Sequence, residues 1–259
     1  MQQRKTNDTN RMTQHPPVHL HLPVLNAMRT LIDTYAGALV KRGQPSIDAA
    51  GVIISIDKVL QSEHPFLDKV KAVDEIISAN EQLIVLKEFC FDLLMVNFLA
   101  AEVEAMDEDY LESAEWSDIE EKTITRGTEL LSLLLYLNES MEDEVDISLH
   151  DFLTEFLLAD DDEFQDEHHI YESIITNQHL LEADLDEMIA TWNDVKEDSE
   201  IADLFIPMLI FFADSETSGE EEIAELVKVD SIPAEQVAVL DAVYSFKNSF
   251  QSSIQINSN

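Results

Sequence analysis

Positive charge is scarce in this sequence: 15 Lys and Arg stand against 54 Asp and Glu, for a formal net charge of -39. A field of that sign repels phosphates and anionic lipid heads and attracts basic surfaces, so direct binding to DNA, RNA or a membrane surface is disfavoured. Glycine is scarce too, with five in the chain. None forms a G-x-G pair or a G-K-[ST] motif, which removes the phosphate-cradling loops of nucleotide-dependent enzymes. Cysteine is limited to Cys90, so no disulfide can form within one chain. In the apolar run VLKEFCFDLLMV this thiol reads as a small buried hydrophobe. Long apolar runs are missing as well. LFIPMLIFFA, residues 204–213, falls short of the roughly 20 residues that span a bilayer, and the opening MQQRKTNDTNRMTQHPP has no apolar signal region. The expectation is a cytoplasmic protein that works away from membranes.

Apolar residues are plentiful, at 45% of the 259 positions, enough for one large core or two smaller ones. They recur at helical spacing, as in Val24, Met28, Leu31 and Tyr35, or Leu130, Leu134, Leu137 and Met141. Alternating strand patterns are nearly absent. Helix-start signals agree: Ser117-Asp118-Ile119-Glu120 fits a capping box, Pro65 and Pro233 sit where a first turn would begin, and Gly43 follows the basic end AGALVKRG. The pattern predicts helices over 24–42, 46–62, 65–79, 81–105, 117–140, 145–159, 165–176, 181–195, 199–213, 220–229 and 233–250. That is an all-α protein of about ten helices, bundle-like or built of stacked helix pairs, with no significant sheet.

Charge is laid out unevenly. Residues 1–60 hold 7 basic and 4 acidic residues, whereas residues 100–225 hold 40 acidic and 3 basic, a net of -37. Adaptation to high salt would acidify every exposed surface, so this polarity is regional. It suggests a disordered polar lead segment at 1–22, a near-neutral helical unit at 23–105, a strongly acidic helical unit at 106–252 and a frayed tail at 253–259. The boundary segment MDEDYLESAEWSD, 106–118, carries Tyr110, Leu111 and Trp116 and is a structured connection rather than a tether. A faint internal echo links FLLADDDEFQDE (156–167) with IFFADSETSGEE (210–221).

The densest acidic stretch, LLADDDEFQDEHHIYE at 157–172, packs seven carboxylates and two histidines into one turn and helix. On a helix over 165–176, Phe164, His168, Tyr171 and Ile175 share the apolar stripe, which makes His168 a core residue. Asp162, Asp166 and His169 fall on an adjoining face and resemble half of a metal site. Carboxylate-bridged dimetal bundles use Glu-x-x-His pairs, and this chain has none. The acids read as a solvated helix face that a basic partner can meet.

DSETSGEEEIAE, residues 214–225, resembles an EF-hand calcium loop. Asp214, Glu216, Ser218, Gly219, Glu220, Glu222 and Glu225 occupy the loop positions that such sites use for oxygen ligands, the sharp glycine turn and the terminal two-oxygen Glu. Glu216 is longer than the usual Asp or Asn, and Glu221 stands where that family has an apolar residue. A companion loop counted from Asp160 would need glycine at Gln165 and Glu at Tyr171, so the resemblance covers the one segment and implies at most one bound calcium, with no other cofactor.

No serine sits in a nucleophile-elbow pattern, Cys90 lies in a mostly apolar helix, and close carboxylate pairs are too abundant to mark an acid–base site. The chain does not read as an enzyme. The expected function is a strongly acidic interaction protein, acting as adaptor, inhibitor or nucleic-acid charge mimic, that binds a basic protein through its C-terminal half. The expected contact residues are Asp160, Asp161, Asp162, Glu163, Asp166 and Glu167 in one cluster and Glu220, Glu221 and Glu222 in the other. The alternative is a metal-binding helical protein using the loop at 214–225.

Overall fold

The computed structural model describes residues 20–106, 109–157, 163–197 and 199–257, and among these there are twelve α-helices and no strand. In chain order they are α1 (Leu22–Lys41), α2 (Ala49–Leu60), α3 (Phe66–Ser78), α4 (Lys87–Asn97), α5 (Ala114–Thr123), α6 (Leu130–Glu142), α7 (Leu149–Leu157), α8 (Glu163–Thr176), α9 (Leu185–Val195), α10 (Ala202–Ala213), α11 (Glu220–Leu226) and α12 (Ala234–Asn257). The all-α expectation holds. No helix among the described residues is long and apolar enough to cross a membrane. The apolar run at 204–213 is instead a helix buried on every side up to its last residue, as a helix without a polar face must be: Leu204 through Phe212 are all in the core and Ala213 is exposed.

The axis of the molecule is the pair α1 and α12, which run antiparallel. Asn26 donates to Ser249 (3.0 Å), Thr30 to Ser245 (3.0 Å), and Thr34 to Asp241. Each step is four residues up one helix and four down the other, so one polar seam repeats once per turn. Val24, Met28, Leu31 and Ile32 of α1, like Val239, Val243 and Phe246 of α12, are buried in the core. The side chains buried by the near-neutral segment and by the acidic segment form one cluster from Val24 to Phe246. The change of charge near residues 106–118 is therefore no gap in the core. Trp116 stacks on Phe98 at 6.2 Å and 9°, and Phe98 packs on Phe66 at 4.5 Å.

The long helix expected over 117–140 is two helices. The first starts earlier, at Ala114, where Ser113 Oγ accepts from Trp116 N–H (3.1 Å). The break at 124–129 has a long-range cause. Arg126 donates to Glu88 (2.8 Å) and reaches both oxygens of Asp74 (3.1 and 3.2 Å), while its guanidinium lies 4.6 Å from the Phe91 ring centre. Thr128 donates its N–H to both oxygens of Asp92 (3.0 and 3.1 Å) and its hydroxyl to one of them (2.6 Å). Between the two, Gly127 sits at φ +90°, where a β-carbon would stand 2.5 Å from Asp92 Oδ1. Asp92 is fully buried, and burial, with Glu88 and Glu129 nearby, pushes its carboxyl up to about 8 against the pull of the Thr128 donors.

Two other helices differ from expectation. The segment 81–105 is helical but irregular: a 3-10 stretch at Glu81–Leu86 leads into α4, which continues as a π turn at Phe98–Glu102. That turn brings Glu102 to Lys69, and this pair closes at 2.6 Å with the lysine 3% exposed. The last helix runs on to Asn257, past the end expected at 250. At the end of α1, Gly43 takes the left-handed backbone at φ +71°, as its place after a basic helix end requires. Arg42, however, leaves its own helix end and donates to the carbonyls of Ile232 (2.7 Å) and Val229 (3.0 Å), tying α1 to the turn before α12.

Candidate functional site

The segment that resembles a calcium loop follows the buried helix α10. Asp214 leaves the helix at φ -141°, the chain turns through Ser215 to Ser218, and Gly219 reverses it at φ +77°. At Gly219 a β-carbon would meet the Tyr244 ring at 2.2 to 2.5 Å, so only glycine lets the turn lie against α12. α11 then begins at once with Glu220.

A lysine holds this turn from inside. Lys247, on α12, is 2% exposed and donates to the backbone carbonyls of Ser215 (2.6 Å) and Thr217 (2.5 Å). Its ammonium lies 5.3 Å from the Tyr244 ring centre and 5.9 Å from that of Phe211. Burial lowers the Lys247 ammonium below its usual value, while Asp214 works against that shift. Asn248 adds a hydrogen bond to the Ser218 carbonyl (3.0 Å). The loop carbonyls at Ser215 and Thr217 thus face a built-in cation from the protein's own last helix.

The six oxygen-bearing residues picked out by the loop spacing divide between three places. Because α11 starts at Glu220, Glu222 lies about 200° around the helix from it, whereas Glu222 and Glu225 are only about 60° apart. Asp214, Glu222 and Glu225 edge a hollow of about 220 Å³ whose floor includes Met188, Ile210 and Leu226. Ser218 and Glu220 line a second, polar groove of about 700 Å³ along the α1–α12 seam. Glu216 is exposed. Among the described residues, no group of three or more His, Cys, Asp or Glu side chains is gathered as a metal ion requires.

The polar groove runs along α1 from Leu22 to Thr34 and carries the seam residues Asn26, Thr30, Asp241, Ser245 and Ser249 on its walls. Burial, with Asp33 and Glu220 nearby, raises the Asp241 carboxyl, and the Thr34 hydroxyl bond opposes that rise. Arg29, at the same wall, is engaged by both oxygens of Asp57, the closest contact being 2.6 Å. The sequence carries a trace of this seam: Asn26, Thr30 and Thr34, like Asp241, Ser245 and Ser249, are spaced by four. Nothing local distinguishes such a row from a solvent-facing stripe.

Of the expected partner-contact acids, Glu220 and Glu221 are exposed and Glu222 is half-exposed. Asp160, Asp161 and Asp162 lie outside the described residues. Glu163, Asp166 and Glu167 fall in the first turns of α8, and their side chains, with those of Phe164 and His168, lie outside the described residues. Further along the same helix Tyr171 is fully buried and donates to Glu129 (2.5 Å), as the apolar stripe requires. His169 is exposed, with Glu172 at 3.3 Å from its Nδ1.

The three basic residues of the 100–225 segment are all engaged within the chain. Lys122 pairs with Asp118 at 2.5 Å, Arg126 is held by Asp74 and Glu88, and Lys196 bonds Asn193 at 2.9 Å and lies over Trp192. Fold and surface together define an all-helical acidic protein that carries an apolar hollow edged by carboxylates. Compared with protein-family models, curated proteins and solved structures, the chain matches none.

Proposed function

We propose that this chain is an acidic interaction protein that captures a basic protein partner through its C-terminal half, as an adaptor, an inhibitor or a mimic of nucleic-acid charge. One observation carries the reading. The 100–225 segment has 40 acidic residues, and its three cations are already engaged with groups of the same chain. Lys69 and Lys228 pair with two more of its acids, Glu102 and Glu225, and the large excess of negative charge is left for something outside the molecule. A field of this density raises association rates and rejects wrong partners more than it adds net affinity.

The test starts with capture of bound species from native lysate at low and then physiological salt, and continues with association kinetics of the recovered basic protein. Reversal of Glu220, Glu221 and Glu222 to Lys slows capture and flattens its salt dependence. Reversal of Glu63, Glu75 and Glu81, which are exposed but lie in the near-neutral segment, has a smaller effect. Equal effects from the two triple variants would reject the assignment to the C-terminal half.

A further inference from the structure

The hollow between α9, α10 and α11 combines an apolar floor with a charged edge. Its floor is apolar and supplied by three helices: Met188, Ile210 and Leu226 are 5%, 9% and 4% exposed. Its edge is anionic, with Asp214 at the end of α10 and Glu222 and Glu225 on one face of α11. The volume of about 220 Å³ sets the size of an occupant. An apolar cavity of roughly 150 Å³ takes one benzene ring, so this one takes a single phenylalanine- or leucine-sized group and no more.

The charge sets its chemistry. A fatty acid or an acidic amphipathic helix would bring its own negative charge to the three carboxylates, and a second copy of this chain presents the same acidic field. Lys228 pairs with Glu225 at 2.7 Å, but both side chains are more than half exposed, a contact that solvent screens and an incoming cation displaces. We infer that the hollow seats one apolar side chain of a lysine- or arginine-rich amphipathic helix of the partner protein, whose flanking cations meet Asp214, Glu222 and Glu225. This is the helix-in-groove mode of recognition, with a single anchor. It rests on the acidic-capture reading above and adds the part of the partner that enters the protein.

The test uses a short lysine-rich helical peptide with one central Phe and the same peptide with Ser in its place, each titrated with the full chain by fluorescence anisotropy. The Phe peptide binds at least about tenfold tighter, the scale of a buried aromatic anchor. Ala213 lines the hollow and is exposed, so Ala213→Trp fills it without changing charge. That variant removes the advantage of the Phe peptide and leaves the Ser peptide unaffected. Ala213→Leu, a smaller filler, removes part of it, and circular dichroism verifies that both variants are folded. Glu222→Gln with Glu225→Gln weakens both peptides. Equal binding of the two peptides, or no effect of either Ala213 variant, would overturn the anchor while leaving acidic capture standing. Failure of both peptides to bind even at low ionic strength would overturn the two together.

Discussion

Gly219 and Gly43 both hold the left-handed backbone, at φ +77° and +71°, but for different neighbours. A β-carbon at Gly43 meets nothing within 4 Å, whereas at Gly219 it meets three atoms of the Tyr244 ring at 2.2, 2.4 and 2.5 Å. Alanine at Gly43 therefore carries only the backbone cost of the left-handed region, about 1–2 kcal/mol. Alanine at Gly219 carries the same cost plus that of displacing a ring that is 1% exposed, and overpacking of this kind adds about 1–3 kcal/mol. Urea unfolding followed by circular dichroism, with linear extrapolation for both variants, gives the two losses side by side. The expected gap of about 1–3 kcal/mol corresponds to a melting-temperature difference of roughly 2–12 °C in a chain of this size. Removing the ring should erase the gap: in a Tyr244→Ala background, Gly219→Ala costs no more than Gly43→Ala does in the unaltered chain. Equal losses for the two alanine variants in the unaltered chain would refute the docking of the 214–219 turn on α12, and with it the placement of Glu220 to Glu222.

Two further outcomes follow from buried charges. The folded Asp92 carboxyl is raised to about 8, so the unfolded chain ionises first as pH rises. Wild-type stability should then fall relative to Asp92→Asn between about pH 4 and pH 8, by at most about 1.4 kcal/mol per unit, and a pH-independent difference in urea melts would reject that shift. Lys247→Met leaves the carbonyls of Ser215 and Thr217 without their donor and is expected to destabilise by about 2–4 kcal/mol; a loss below about 0.5 kcal/mol would mean that the ammonium does not hold the turn.

The helices were legible because their apolar residues repeat at the period of the helix and nothing else in the chain competes with that signal. The split at 124–129 was not, because its causes are remote: Arg126 is held by Asp74 and Glu88, 52 and 38 residues away. Gly127 was the one local hint. Lys247 was invisible for a different reason. Lysine is almost never fully buried without a partner, and here the partners are backbone carbonyls, which carry no mark in the sequence. The spacing at 214–225 resembled a cation loop apart from Glu216 and Glu221, yet the start of α11 at Glu220 turned loop positions into helix positions and sent Glu220 away from Glu222 and Glu225. The apolar floor beneath the acids came from α9 and α10, which a reading confined to the loop could not include.

The seam between α1 and α12 also governs when the molecule can form. Thr30 and its partner Ser245 are 215 residues apart, and synthesis proceeds at roughly 5–20 residues per second, so α1 leaves the ribosome roughly 10–40 s before the helix that covers it. Through that interval the side of α1 that carries Asn26, Thr30 and Thr34 lacks its partners on α12. The hydroxyls and amide of Asn26, Thr30 and Thr34 remain free to bind water meanwhile, which keeps the waiting helix half polar. Burial of α1 thus waits for α12.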